Sequence, residues 1–441
     1  MKRTGPRATA TRRLIELFPG LIDARGFNHG AILNRLAFLV VFIGAKVVAL
    51  VGMLLLARLA APDVFGGVEL ALSVALIVAG VGLLGVPGGA TRLALALDEP
   101  RVADILAFAA ICIAAPATAA AVVGLILGWP SIWVLVLASC AAACFQVATT
   151  TYARIRALRF VNSLSDPFAV LAMLALAAVL WLAGVLTLAN LALAATGLAC
   201  LLCLVLVAGF LRARRPGFLV AYPRALAVSL PILALSGVSM IVGVGLRPLL
   251  GTTFPLEQLA VYSLCFRLCA PCMLIHQLVG TPFFARLYRA SDRNFDRVTA
   301  AMVAGCTVCV IGLWLVLQPL IELAFPTYVT QIGILAPLFP LVGLQVMIWI
   351  VNALLEMKVG RHDVAHQAAF LGYGVFGVFF AIFVLGAART MSQATLMFDA
   401  ALIVFALGQI ALLLRRQIRL PLSAGAIVLT AAACVFMSLG S

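Results

Sequence analysis

The chain has 441 residues, of which 65% are hydrophobic and 10% charged, with a formal net charge of +15. A mean hydropathy of +1.20 excludes a soluble globular domain. Apolar runs of about 20 residues recur along it, while the ~10-residue alternating segments of a β-barrel are missing, so the expected class is an all-α polytopic membrane protein.

Residues 1–30 form a basic segment without the long apolar core of a cleavable signal. Leu14, Leu17, Phe18 and Leu21 suit a short amphipathic stretch on an anionic membrane surface. Thirteen spans follow, near 35–59, 66–87, 103–128, 131–152, 167–185, 187–211, 226–247, 258–284, 298–321, 332–355, 368–388, 393–414 and 421–440. The last is the weakest, giving an expectation of 12–13 transmembrane helices. With the N-terminus on the inner side, every Lys and Arg falls at an inner end except Lys46, Arg58, Arg247, Arg267 and Arg389. That distribution is the positive-inside pattern, so the positive charge is read as topology and no nucleic-acid partner is expected.

The first span carries Lys46 near its middle, where a charge costs roughly 2.5–3.5 kcal/mol and therefore faces a polar interior. The second ends in Gly85-Val86-Pro87-Gly88-Gly89, which can break or bend a membrane helix, so Pro87 is a candidate hinge. Arg247 precedes Pro248 at the outer end of span seven. Arg267 lies inside span eight, one turn before Pro271, a second candidate hinge. Arg58 stands at the outer end of span one. Asp399, inside span twelve, is read as the one acid well within the membrane and a candidate for ion coupling. Two buried cations against one acid favour an anionic substrate, such as a phosphate or pyrophosphate, over an organic cation.

The remaining motifs are silent. No GxxxxGK[ST] occurs, and both GxGxxG matches, from Gly80 and from Gly372, lie inside apolar spans. The CxxC pairs Cys200/Cys203, Cys269/Cys272 and Cys306/Cys309 also lie in spans and read as small hydrophobes rather than zinc ligands. No metal and no cofactor are expected. Every loop is short, so an enzyme with an extramembrane catalytic domain is not expected either.

A parallel repeat is visible at an offset of about 190 residues. Phe65-Gly66-Gly67-Val68-Glu69-Leu70 pairs with Leu259-Ala260-Val261-Tyr262-Ser263-Leu264, and Thr91-Arg92-Leu93 with Ala285-Arg286-Leu287. The expected organisation is a first lobe over 31–215, a second over 216–419, and an appended helix in 420–441.

The stretch Leu59-Ala60-Ala61-Pro62-Asp63-Val64-Phe65-Gly66, then a helix running to Thr91-Arg92-Leu93, resembles polysaccharide (O-antigen-type) flippases of the MOP superfamily, relatives of the MATE exporters. Asn352-Ala353-Leu354-Leu355 with Gly360-Arg361 is similar to that family's second lobe. The resemblance implies two six-helix lobes in a V around a central cavity lined by helices 1, 2, 7 and 8, with Lys46 and Arg267 brought together. It implies an isoprenoid-pyrophosphate-linked oligosaccharide as substrate; the placement of the cations, independently of the family, makes Lys46 and Arg267 the expected holders of the anion, with Arg247 and Arg58 receiving it near the outer side. The resemblance also implies a bacterial inner membrane, the surrounding lipids, and polysaccharide polymerase or glycosyltransferase machinery as surroundings and partners. A cation-coupled multidrug antiporter using Asp399 is the competing expectation.

Overall fold

The computed structural model describes residues 29–440 apart from 98, 214–217, 363 and 387. The N-terminal basic segment thus lies almost wholly outside the described residues. The chain is an all-α polytopic membrane protein, 89% helical, with no strand among the described residues. Its helices are α1 (His29–Leu59), α2 (Pro62–Gly82), α3 (Val86–Leu97), α4 (Val102–Ile126), α5 (Ser131–Ile155), α6 (Arg159–Ser165), α7 (Phe168–Leu182) and α8 (Leu188–Ala213). There follow α9 (Phe218–Val244), α10 (Leu246–Thr253), α11 (Leu256–Arg289), α12 (Asp292–Leu315), α13 (Leu317–Ala324), α14 (Ile332–Arg361), α15 (Ala365–Val384), α16 (Met391–Arg415) and α17 (Pro421–Leu439).

Among the described residues eleven helices are long and apolar enough to cross a bilayer, and α17 is one of them. The apolar 15-residue α7 and the 27-residue α9 occupy the two other expected spans. Helix starts follow local chemistry. Pro62 and Pro421 sit in the first turns of α2 and α17, where a missing N–H costs nothing. Ser291 caps α12 by accepting from the Asn294 N–H, and Thr390 with Gln393 forms a capping box on α16.

Helices α1–α8 pack mainly on one another, as do α9–α17, and the packing order recurs. In the first set α5 is the hub, touching α2, α4 and α8; in the second it is α14, touching α11, α12 and α16. Likewise α1 leans on α7 as α9 leans on α15. The hub α14 is 78% buried across its most apolar window, against 28% for α1. The appended α17 seats between α12 and α14, where Asp296 accepts from the Leu422 and Ser423 N–H groups at its start, at 3.0 and 2.7 Å.

The two sets meet where α2 and α3 pack against α11 and α9, and where α1 touches α11. A close backbone approach is at Gly66, whose missing Cβ would land on the carbonyl oxygen of Leu256. The second span is broken, but ahead of Pro87. Leu84 and Gly85 take φ of 50° and 69°, ending α2, and Pro87 becomes the second residue of α3, a position that tolerates proline. Pro271 lies inside α11, which runs from Leu256 to Arg289 without an end at the proline.

The close approach is testable. Gly66→Ala should cost about 1–3 kcal/mol by forcing α2 from α11, and lower the unfolding midpoint of the detergent-solubilised protein. Gly44→Ala, whose new Cβ would meet nothing within 4 Å, should leave that midpoint unchanged.

Candidate functional site

Seven residues into α2, about 10 Å below the turn at Ala61, Glu69 points into the junction between the two sets. It is 1% exposed. An unpaired carboxylate there would carry a penalty of several kcal/mol, so partners must be supplied. Both come from the other set. Arg267 of α11 donates Nε–H to Glu69 Oε1 at 2.6 Å, and Arg247 Nη1 lies 3.7 Å from Oε2. Arg247 is the second residue of α10, which is separated from α9 by Gly245 alone. Its guanidinium lies 3.8 Å from the Phe266 ring centroid, a cation–π contact in a desolvated place.

The cluster is not neutral. One carboxylate serves two guanidiniums, and the second, on Arg247, keeps Nε and Nη2 without a hydrogen-bond partner among the described residues. The buried Tyr328 hydroxyl is likewise without one. Nearby, Tyr262 donates to Gln345 of α14 at 2.5 Å, tying α11 to the hub of its set. The site is therefore a buried junction with one surplus positive charge and N–H donors to spare, chemistry suited to an anion.

Lys46 lies elsewhere. Thirteen residues before Leu59, it is about 20 Å below the same turn, and pairs with Asp166 at the junction of α6 and α7. Asp166 also accepts from Arg154 Nη2 at 3.2 Å, while Arg154 Nε reaches Asn162 at 3.1 Å. This second cluster is partly open, with side-chain exposures of 18% for Lys46, 26% for Asp166 and 62% for Arg154. The expectation that Lys46 and Arg267 converge is corrected: each is held by its own carboxylate, at different depths. Arg58, in the last turn of α1, is exposed and belongs to neither cluster.

Asp399, on α16, is fully buried, and neither carboxylate oxygen has a hydrogen-bond partner among the described residues. It is not the one acid inside the bundle. Besides Glu69, Glu356 of α14 accepts from Ser239 of α9 at 2.6 Å. His276 lies edge-on to Trp349, ring centroids 5.8 Å apart. Among the described residues no three His, Cys, Asp or Glu side chains gather as ligands of a metal ion would.

Sequence reasoning missed Glu69 and Asp166. Glu69 sat in the repeat motif but at the start of its span, where an acid reads as an interfacial residue. Asp166 precedes Pro167 in what reads as an inner loop. The available signal was helical register, since Glu69 shares the face of Phe65 and Leu72, both buried.

One carboxylate shared by two cations predicts unequal losses. Glu69→Leu strands two buried guanidiniums and should cost about 3–5 kcal/mol in the solubilised protein. Arg267→Met leaves Arg247 to neutralise Glu69 and should cost clearly less. Equal midpoint shifts for the two variants would contradict the shared arrangement.

No family model matches the chain, and no curated protein is similar to it. Four solved chains are similar to it. One, named only protein A, superposes with a TM-score of 0.54 at 14% identity, over 86% of this chain and 96% of its own. That likeness is one of fold.

Proposed function

We propose that this chain is a flippase of the MOP superfamily, moving an isoprenoid-pyrophosphate-linked oligosaccharide across the bacterial inner membrane for surface polysaccharide synthesis. The observation that carries the reading is the cluster in which Arg267 and Arg247 of one set share Glu69 of the other. Alternating access requires a binding group at the junction of two units that move relative to each other. An anion arriving there competes with Glu69 for groups on both sides, so binding is coupled to the contact between the sets.

The cations then fall in an order along the path. By the positive-inside rule the N-terminus is cytoplasmic. Lys46 and Arg154 stand toward the cytoplasmic side and meet the pyrophosphate first. Arg267 and Arg247 hold it deeper, and Arg58 receives it near the outer headgroups. The isoprenoid tail stays among the membrane lipids. The protein acts as a carrier rather than an enzyme, between the glycosyltransferases that build the glycan and the polymerase that consumes it.

A second reading rests on Asp399. A buried carboxylate with no hydrogen-bond partner suits coupling to H+ or Na+, as a cation-driven multidrug antiporter requires.

Two experiments separate them. Cells depleted of the protein should accumulate a complete isoprenoid-pyrophosphate glycan on the cytoplasmic face, measured by mass spectrometry of extracted lipids. Wild type should clear it, and Arg267→Ala, at equal membrane abundance, should not. Intact surface glycan with no accumulated lipid would end the flippase reading. Resistance to cationic compounds that depends on the protein and is abolished by Asp399→Asn would establish the antiporter instead.

A further inference from the structure

We infer that Tyr328 is a further substrate-binding residue: with Glu69 it forms a subsite for the first sugar of the lipid-linked glycan, beside the arginines that take the phosphate. The inference rests on the flippase reading and concerns which part of the headgroup the junction recognises.

Tyr328 reaches the junction on the short connection between α12 and α14. After α13 the chain makes a 3-10 turn, Pro326–Gln331, in which the Tyr328 N–H donates to the Phe325 carbonyl at 2.9 Å. Leu317, Ile321, Phe325 and Tyr328 recur at helical spacing and are all buried, while Leu323 and Val329 are exposed. Tyr328 therefore ends a buried stripe that belongs to the second set. Across the junction it interacts electrostatically with Glu69 of the first. Packing alone does not call for a tyrosine here. Phenylalanine would bury the same ring, and a buried hydroxyl left without a partner costs about 1–3 kcal/mol.

The unpartnered atoms define what completes the site. Arg247 Nε and Nη2 can only donate, the carboxylate oxygen Glu69 Oε2 can only accept, and the Tyr328 hydroxyl can do either. Arg267 holds Glu69 through Oε1, so the surplus positive charge rests on Arg247 and accommodates a phosphate oxygen with the carboxylate still in place. An ionised phosphate diester offers acceptors alone and leaves Glu69 Oε2 unanswered. A sugar hydroxyl answers it, donating to Oε2 while accepting from Tyr328. The ligand that satisfies all four atoms is thus a phosphate with a sugar directly attached.

The test uses the purified full-length protein in detergent and two short-chain isoprenyl pyrophosphate diesters of equal charge. One carries a single sugar, the other a cyclohexyl ring without hydroxyls. Affinities are read from ligand-dependent unfolding midpoints. Wild type should bind the sugar-bearing probe at least about tenfold more tightly. Tyr328→Phe should cut that preference to about threefold or less, with affinity for the cyclohexyl probe unchanged. Its ligand-free midpoint should equal or exceed that of wild type, because the lost hydroxyl had no partner. A hydroxyl serving structure alone would instead lower that midpoint and leave the preference intact. A wild type indifferent to the sugar, a preference untouched by Tyr328→Phe, or equal losses for both probes overturns the subsite. The flippase reading is tested apart, in phosphatidylcholine vesicles, where wild type should expose all of a sugar-bearing isoprenyl pyrophosphate to an added glycosidase. Protein that leaves the inner-leaflet share protected overturns that reading, and the subsite falls with it.

Discussion

Burying Glu69 is the constraint on which the junction depends. A carboxylate at 1% exposure inside an apolar bundle must be paired, and among the described residues no cation of its own set pairs with it. The two that reach it come from α10 and α11. The first and second sets of helices are therefore joined by an electrostatic contact whose strength depends on water being kept out. Around it the packing is close: Gly66 sits one turn above on α2 against the backbone of Leu256, and Phe266 shields the guanidinium of Arg247. Substituting apolar residues throughout such a cluster often costs little stability. Its presence at this junction is thus better explained by specificity than by strength.

The repeated packing order gives that junction its symmetry. Hubs α5 and α14 hold corresponding places, α2 and α11 lie against them in the same way, and it is α2 and α11 that face each other across the junction. The copies have diverged in chemistry. The α2 copy supplies an acid at Glu69 where the aligned position of the α11 copy is Ser263, and the α11 copy supplies Arg267 one turn further on. Two similar halves can present opposite charges to each other in this way.

Hydropathy made the fold legible, because a helix that must cross about 30 Å of hydrocarbon announces itself by length and composition regardless of what it packs against. Each expected span has its helix, to within a few residues at most ends. The site was legible by half. Arg247 and Arg267 stood out because charge within an apolar run is costly. Glu69 did not, because it lies close to a span boundary where acids are ordinary. Its depth is decided by the turn at Pro62, which starts α2 earlier than hydropathy alone suggests. Lys46 was identified but its partner was not, since Asp166 sits at a break between α6 and α7 that no periodicity marks. Such pairings depend on tertiary placement, which neither composition nor spacing encodes.

The interruption at Leu84 and Gly85 has a mechanical meaning. A continuous rod from Pro62 to Leu97 would carry any tilt at one end directly to the other. With two left-handed residues between them, α2 and α3 are separate levers on one chain. The first leans on α11 and the second on α9, where Gly89 meets Ser229. The seam at Glu69 and the seam at Ser229 are thus uncoupled along the backbone. A tilt at one seam is therefore not carried rigidly through the backbone to the other.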